Sequence, residues 1–295
     1  MIEKNLQTKM IKKIDLIIKE IFETRILAAT GVSSKNLANE SSVLFEDSLK
    51  RAYLSCIGGK HVRSLSFLEY MKYDNLLNNI KGKDVDDEVR EGFDYISDIF
   101  FRIAACFEIF HSAALIHDDI VDNDDVRRGK PALHAEVGNS KAILIGDLMY
   151  QVSNLEFVVN MNYLRLDEFI EDSEFSAALI EYNIMQTQVQ FGQILDLELE
   201  NTYNNKKLSV DKKIKPIVED VMRLKTASYT FVGPRIIGAI IAGENQKGIE
   251  EIRKQALKDG REFQVANDLV DIEQDKKEGK VTLPILNEIE DLETK

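Results

Sequence analysis

HSAALIHDDIVDNDDVRRGKP, residues 111–131, decides how the rest of the chain is read. Asp118, Asp119 and Asp122 stand at i, i+1 and i+4 behind an apolar run, and Arg127 and Arg128 follow them closely. On a helix, Asp118 and Asp122 stack on one face, one turn apart. His111, seven residues before Asp118, shares that face. Carboxylates this close repel one another and require a counter-cation or a proton. Oxygen ligands on a rigid helix suit Mg²⁺, which keeps several waters and shares its remaining positions with substrate phosphates. Guanidinium forks match phosphate oxygens two at a time. Acidic and basic groups side by side therefore read as a cradle for magnesium and a diphosphate. Alone, an acidic run of this kind is as readily a solvated helix face. A second copy changes the balance. FQVANDLVD, residues 263–271, repeats the spacing with Asn267, Asp268 and Asp271, again behind an apolar stretch. Two such clusters facing each other across a helix bundle would hold several ions around one diphosphate.

Working outward, the apolar spacing is helical nearly everywhere. Ile11, Ile14, Ile17, Ile18, Ile21, Phe22 and Leu27 predict an amphipathic first helix over 8–28, and a Gly/Ser/Asn-rich loop is expected over 29–42. A helix over 43–56 ends at Gly58-Gly59, and RSLSFLEYMKYDNLL restarts one with Ser64 as its expected cap. Residues 74–92 read mostly as a loop, with Asp84, Asp86 and Asp87 as surface charges near a helix start. Tyr95 to Asp122 is apolar nearly all round, the pattern of a buried central helix. A buried helix is expected over 138–160 and a further long helix over 172–200, the latter carrying Gln186, Gln190, Gln193 and Asp196. A polar loop over 201–213, helices over 214–243 broken at Gly233-Pro234, and a helix over 248–275 complete the reading. Nothing alternates with period two for long, so the fold class is all-α.

The chain has 295 residues, four prolines and no Pro/Gly/Ser-rich divider, so a single domain over 1–295 is expected. The net charge of −13 argues against nucleic acid as a partner. A polyphosphate substrate must then be met by local cations and metal, not by the overall field. The charged start lacks a signal-peptide core, and no long unbroken apolar run suggests membrane insertion. Cys56 and Cys106 lie among apolar residues and read as buried free thiols. A soluble, cytoplasmic protein is expected.

With both acidic clusters in view, the chain resembles the trans-isoprenyl diphosphate synthases, the polyprenyl synthetase family. Segments match in order: GGKHVRS at 58–64, HDDIVDNDDVRRGKP at 117–131, QFGQILDL at 190–197, KTASYTF at 225–231, FQVANDLVD at 263–271 and GKVTLP at 279–284. The resemblance implies the isoprenoid synthase fold, an antiparallel helical bundle around a central cavity, with Mg²⁺ as cofactor and a homodimer as the usual assembly. It implies head-to-tail coupling of isopentenyl diphosphate to an allylic diphosphate. By resemblance, Asp118 and Asp122 bind Mg²⁺ with Asp119 in support, and Asp268 and Asp271 form the second metal set. Lys60, Arg63, His111 and Arg128 resemble the isopentenyl diphosphate site. Arg127, Lys225, Thr226, Gln264 and Lys280 resemble groups around the allylic diphosphate, with Lys225, Asp118 and Asp122 the catalytic set. Gln193 and Asp196 resemble a pair on the cavity wall. His117 reads as a structural hydrogen-bonder, and His134 has no role in this scheme. Ala113 and Ala114, lying before Asp118, leave the cavity floor open, which in the family goes with products of C20 or longer.

The match departs in places. Asn267 stands where the family usually has aspartate, which weakens the hold on a third ion. DIEQDKKEG, from Asp271 to Gly279, is shorter than the family loop and lacks one of its lysines. His61 and Ser64 replace commoner arginine and proline. Lys295 comes soon after TLP, where the family continues with further helices, so a truncated or shortened member is implied. Two rival readings share these residues: a terpene cyclase using Asn267, Asp271 and Asp275, and a non-catalytic subunit of a heteromeric synthase.

Overall fold

The computed structural model describes residues 4–26, 39–80, 86–203 and 214–293. Leu27, Asp84, and residues 29–38 and 204–213 of the loops expected over 29–42 and 201–213 lie outside the described residues, and the rest of those two stretches, 39–42 and 201–203, is helical instead. The chain divides into two compact units, Met1–Phe175 and Ser176–Lys295.

In the first unit, α1 (Lys4–Glu20) runs into a π-helical turn, Ile21–Arg25. Then come α2 (Asn39–Cys56), α3 (Val62–Tyr70), α4 (Tyr73–Ile80) and the long α5 (Asp87–Asp122). A two-stranded hairpin, β1 (Val126–Arg127) and β2 (Lys130–Pro131), leads through α6 (Leu133–Val137) to α7 (Asn139–Leu166). α5 is the central helix expected from the sequence, but it starts eight residues earlier than Tyr95 because Asp86 caps it, accepting the Val89 N–H at 2.8 Å. Asp86 and Asp87 are exposed at this start, as expected. The stretch read as a loop over 74–92 thus contains α4 and the first turns of α5. Apart from that hairpin, the described residues hold no other sheet.

α5 and α7 pack antiparallel. His117 meets Gly146, Phe110 meets Tyr150 and Phe107 meets Phe157. Ile99, Phe100, Phe101, Ile103, Phe107, Ile109 and Phe110 are all buried. Each such side chain contributes roughly 1.5–3 kcal/mol by leaving water. Ile14, Ile18, Ile21 and Phe22 add the inner stripe of the first helix. Gly146 is needed where it stands, because a Cβ there would lie 2.4 Å from Nε2 of His117. The His117 ring is a structural hydrogen-bonder, 3.2 Å from the Ile143 carbonyl.

By length and composition alone, α5 and α7 are apolar enough to cross a membrane. The most apolar window of α5 is 83% buried inside the fold, so a protein core accounts for its composition. α7 is less covered than expected, with Ile143, Leu144, Leu155, Val158 and Leu166 exposed.

The second unit holds the residues of α8 (Asp172–Tyr203) from Ser176 on. α9 (Ile214–Val221) follows, then an 11-residue π-helix, Met222–Val232, and α10 (Gly233–Ile241). α11 (Gln246–Glu278) and α12 (Leu283–Glu293) complete it. The expected break at Gly233-Pro234 is absent. Helical backbone runs unbroken from the π-helix into α10, Gly233 is right-handed helical, and Pro234, which has no N–H to donate, falls just past the wider π-helical turns. The adjustment lies upstream, in the wider turns of the π-helix. Leu199, Ile214, Val218, Val221, Met222, Val281, Leu283 and Leu286 form one core cluster of this unit.

Candidate active site

The first set of candidate residues surrounds the C-terminal end of α5. Asn123 ends the helix in the left-handed conformation, its N–H reaching back to the Asp119 carbonyl. Asp118 and Asp122 are half-buried, whereas Asp119 is 3% exposed. Nε of Arg127 donates to Oδ1 of Asp119 at 2.7 Å, and Nη2 donates to the same oxygen. Burial raises the pKa of the Asp119 carboxyl, with Arg127 acting against that. The three adjacent aspartates therefore separate: two share a helix face, and the third anchors an arginine.

That arginine sits on the hairpin. Val126 pairs with Pro131 and Arg127 with Lys130, leaving Arg128-Gly129 as a two-residue turn with φ of 53° and 73°. Positive φ at both positions is the requirement of a type I′ turn, which glycine meets freely and arginine does not. The turn aims Arg128 at the Gly58-Gly59 loop, where its Nη1 lies 3.4 Å from the Ile57 carbonyl. A Cβ on Gly59 would come within 3.3 Å of Nη2.

That loop leads into α3. Lys60 is exposed, Arg63 is 8% exposed, and His61 is 1% exposed with φ of 47°. Ser64 is not the cap expected of it. The α3 N-terminus is satisfied from outside, its Ser64 N–H donating to Oε1 of the buried Glu108 at 3.1 Å. The Ser64 hydroxyl donates to the Ala104 carbonyl at 2.6 Å. His111, one turn beyond Glu108, is held well below its ordinary pKa by burial and by Arg63, Arg128 and Arg127, with Glu108 acting against them.

The second set lies in the second unit. Lys225 and Thr226 are on the π-helix, which two glycines let α8 and α11 approach. A Cβ on Gly192 would stand 2.4 Å from the Lys225 backbone nitrogen, and one on Gly260 would stand 2.4 Å from Cβ of Ala227. Nζ of Lys225 pairs with Oδ2 of Asp196 at 2.7 Å. The Thr226 hydroxyl donates to Oε1 of Gln264 at 2.7 Å, and Nε2 of Gln264 donates to Oδ1 of Asp268 at 2.6 Å. Burial pushes the Asp268 carboxyl up to about 6, helped by Asp275, Asp196 and Asp271 and opposed by Gln264. Asp268 and Asp275 are buried, whereas Asn267 and Asp271 are exposed. Gln193 is half-buried, and the Lys280 N–H closes on the Asp275 carbonyl at 2.9 Å just past Gly279.

Among the described residues, no three His, Cys, Asp or Glu side chains gather closely enough to hold a metal by themselves. The donors present still fit Mg²⁺, which needs few protein oxygens because it retains waters and shares substrate phosphates. Asp118 and Asp122 offer two carboxylates one turn apart. Asp268 has a raised pKa among like charges, which a cation would lower.

Sequence reasoning missed two residues. Glu108 could have been found: it and Arg102 are the only charged residues in the apolar run 99–116, and a charge buried there needs a partner. Asp275 was considered only for a cyclase triad, although it lies seven residues after Asp268 and so shares its face.

The polyprenyl synthetase family model matches residues 46–294. The short chain isoprenyl diphosphate synthase of Methanocaldococcus jannaschii is 28% identical over 290 residues, 92% of this chain and 74% of that protein. The geranylfarnesyl diphosphate synthase of Natronomonas pharaonis is 32% identical over 169 residues, 57% of this chain and 45% of that protein. The chain spans about half the length of further curated relatives that it matches. Among solved structures, geranylgeranyl pyrophosphate synthase from Corynebacterium glutamicum, complexed with isoprenyl diphosphate and magnesium, aligns with a TM-score of 0.65. It is 23% identical, with 89% of this chain and 68% of that one covered, a likeness of fold.

Proposed function

This chain belongs to the polyprenyl synthetase family of prenyltransferases, and from that premise we propose that it condenses isopentenyl diphosphate with an allylic diphosphate in a magnesium-dependent, head-to-tail reaction. The observation that carries the reading is the clasp between Asp119 and Arg127. It fixes a hairpin bearing two arginines to the helix end that bears Asp118 and Asp122. Metal-seeking and phosphate-seeking groups then belong to one rigid piece, the pairing a diphosphate substrate calls for. The 1–295 chain is treated as one polyprenyl synthetase domain.

In the coupling, the C1–O bond of the allylic diphosphate breaks and its electron pair leaves with the diphosphate. The double bond of isopentenyl diphosphate attacks C1, and a proton is lost from its C2. Magnesium, when bound, neutralises the departing diphosphate. The chain's own part is to bind and orient. Arg127 places positive charge where the leaving oxygen gains negative charge, so its effect is larger in the transition state than before it, and the KTASYTF segment, by its likeness to the family, proposes the same task for Lys225. Lys60, Arg63 and Arg128 seat the second diphosphate, and His111 offers a hydrogen bond there. Thr226, through Gln264, sets the orientation of Asp268. Lys60, Arg63 and Arg128 favour coupling over cyclisation, because a cyclase has no second diphosphate to hold.

The product is C20 or longer on this reading. Ala113 is fully buried, so this part of the reading rests on Ala114, half-buried one turn before Asp118. A cytoplasmic homodimer is the assembly proposed. The test is incubation of labelled isopentenyl diphosphate with each allylic primer and Mg²⁺, followed by product sizing. Chain extension supports the reading. Hydrocarbon release from the primer alone would replace it with cyclisation.

A further inference from the structure

Glu108 is 4% exposed inside α5, and the contacts it makes all converge on the loop and helix start that carry Lys60 and Arg63. Oε1 accepts the Ser64 N–H at 3.1 Å and lies 3.2 Å from the Ser64 hydroxyl. Oε2 lies 3.4 Å from Nδ1 of His61. The other ring nitrogen of His61, Nε2, is 2.8 Å from Oδ1 of Asp15 on α1. His61 is held in the left-handed region with its side chain wholly buried, a conformation a non-glycine residue keeps only when its surroundings impose it. Two carboxylates therefore flank the ring of His61, close to Lys60 and Arg63 in sequence: Asp15 on α1 hydrogen-bonded to it, and Glu108 on α5 at ion-pair distance.

We propose that Glu108 is a positioning residue for isopentenyl diphosphate, acting with His61 and Asp15 to fix the loop that presents Lys60 and Arg63. The proposal rests on the assignment of Lys60 and Arg63 to that substrate. None of the three touches substrate on this account. Two features single them out from ordinary packing. First, Glu108 stands one turn before His111 on α5, so the same helix carries a ligand for the second diphosphate and the anchor of the loop opposite it. Second, Ser64 offers both a backbone N–H and a hydroxyl, and a proline in its place could offer neither. His61 and Ser64 are the two departures of this segment from the family pattern, and they are the two residues that Glu108 holds.

A misplaced phosphate-binding loop weakens one substrate and spares the other. Steady-state kinetics of the full chain with Glu108→Gln and Asp15→Asn separate the cases. Asp15 lies at the outer end of these contacts with a side chain 31% exposed, so its variant is expected to fold. The expected result is a rise of about 10-fold in KM for isopentenyl diphosphate, with KM for the allylic substrate within about twofold and only a small drop in the melting temperature of Asp15→Asn, whose partly exposed carboxylate is one of the two that stabilise a protonated His61. Equal changes in both KM values, or a loss of melting temperature alone, overturn the proposal. Lys60→Ala and Arg63→Ala are run beside them. If those raise KM for isopentenyl diphosphate while Glu108→Gln and Asp15→Asn do not, the positioning role fails and the subsite stands. If Lys60→Ala and Arg63→Ala leave it unchanged, the subsite itself is wrong and the positioning role falls with it.

Discussion

Gly192 lies against the backbone of Lys225 so closely that a methyl group on it would stand 2.4 Å from the lysine nitrogen. The contact is helix to helix, with no flexible side chain to give way, so the π-helix must move if the glycine is replaced. Gly192→Ala should displace Lys225 from Asp196 and lower kcat by about tenfold or more, with destabilisation of about 1–3 kcal/mol from overpacking. Single-turnover kinetics and thermal melting, run together, check it. An alanine variant with full activity would show that the close approach does not set the lysine.

Asp119 is predicted to act through Arg127, not as a metal ligand. Asp119→Asn leaves an acceptor but removes the charge that holds the guanidinium. Because Arg127 is a third exposed, solvent screens part of the loss, and about 1 kcal/mol of stability should go. The KM for the allylic substrate should rise more than the magnesium requirement does. A large rise in the magnesium requirement would return Asp119 to the metal set.

The raised pKa of Asp268, about 6, makes a prediction about metal. A proton on that carboxyl excludes a cation, so magnesium affinity should weaken as pH falls through about 6. The half-saturating magnesium concentration, measured from pH 5 to 8, should turn upward below that point. Asp268→Asn should need more magnesium throughout and lose the upturn.

His61 and Glu108 predict a window of stability. Burial alone would lower the His61 pKa, but Glu108 and Asp15 outweigh it and raise the value above 6.5. That contribution is complete below 6.5 and is lost as pH rises through the folded value. Glu108 moves the other way. Burial would raise it, yet His61 and Arg63 bring it down to about 2 from 4.5. Its contribution is present above 4.5 and is lost as pH falls towards 2. Together they favour the folded chain most between about pH 4.5 and 6.5. Melting temperatures of His61→Gln should fall less than those of the unaltered chain on going from pH 6 to pH 9.

Ala114→Phe should shorten the product, because an aromatic ring one turn before Asp118 fills about 100 Å³ more than a methyl group and floors the path of the growing chain. Product sizing with a common primer reads the change. An unaltered product length would remove Ala114 from the determinants of size.

Periodicity made the helices legible, and it did best where burial is one-sided or complete, as in α1 and α5. It failed at 74–92, where polar side chains hid helical turns whose capping comes from Asp86. It failed again at Gly233-Pro234, because the wider π-helical turns that carry the helix past this proline leave no mark in the spacing of apolar residues. The acidic clusters were visible because spacing alone puts Asp118 with Asp122. The division of labour between Asp119 and its neighbours was not visible, since adjacent residues on a helix point apart by an angle that only the surrounding chain makes meaningful. Glu108 escaped notice because its partners, Ser64 and His61, lie more than forty residues away. The Gly192 and Gly260 contacts depend likewise on residues distant in sequence.

Arg128 occupies a backbone conformation that disfavours its own side chain, at a cost of about 1 kcal/mol. A glycine there would relax the turn, so selection for heat resistance alone would tend to erase this guanidinium. Directed evolution of the enzyme for robustness should therefore screen turnover in every round, since at this one position durability and the substrate capture proposed for Arg128 pull in opposite directions.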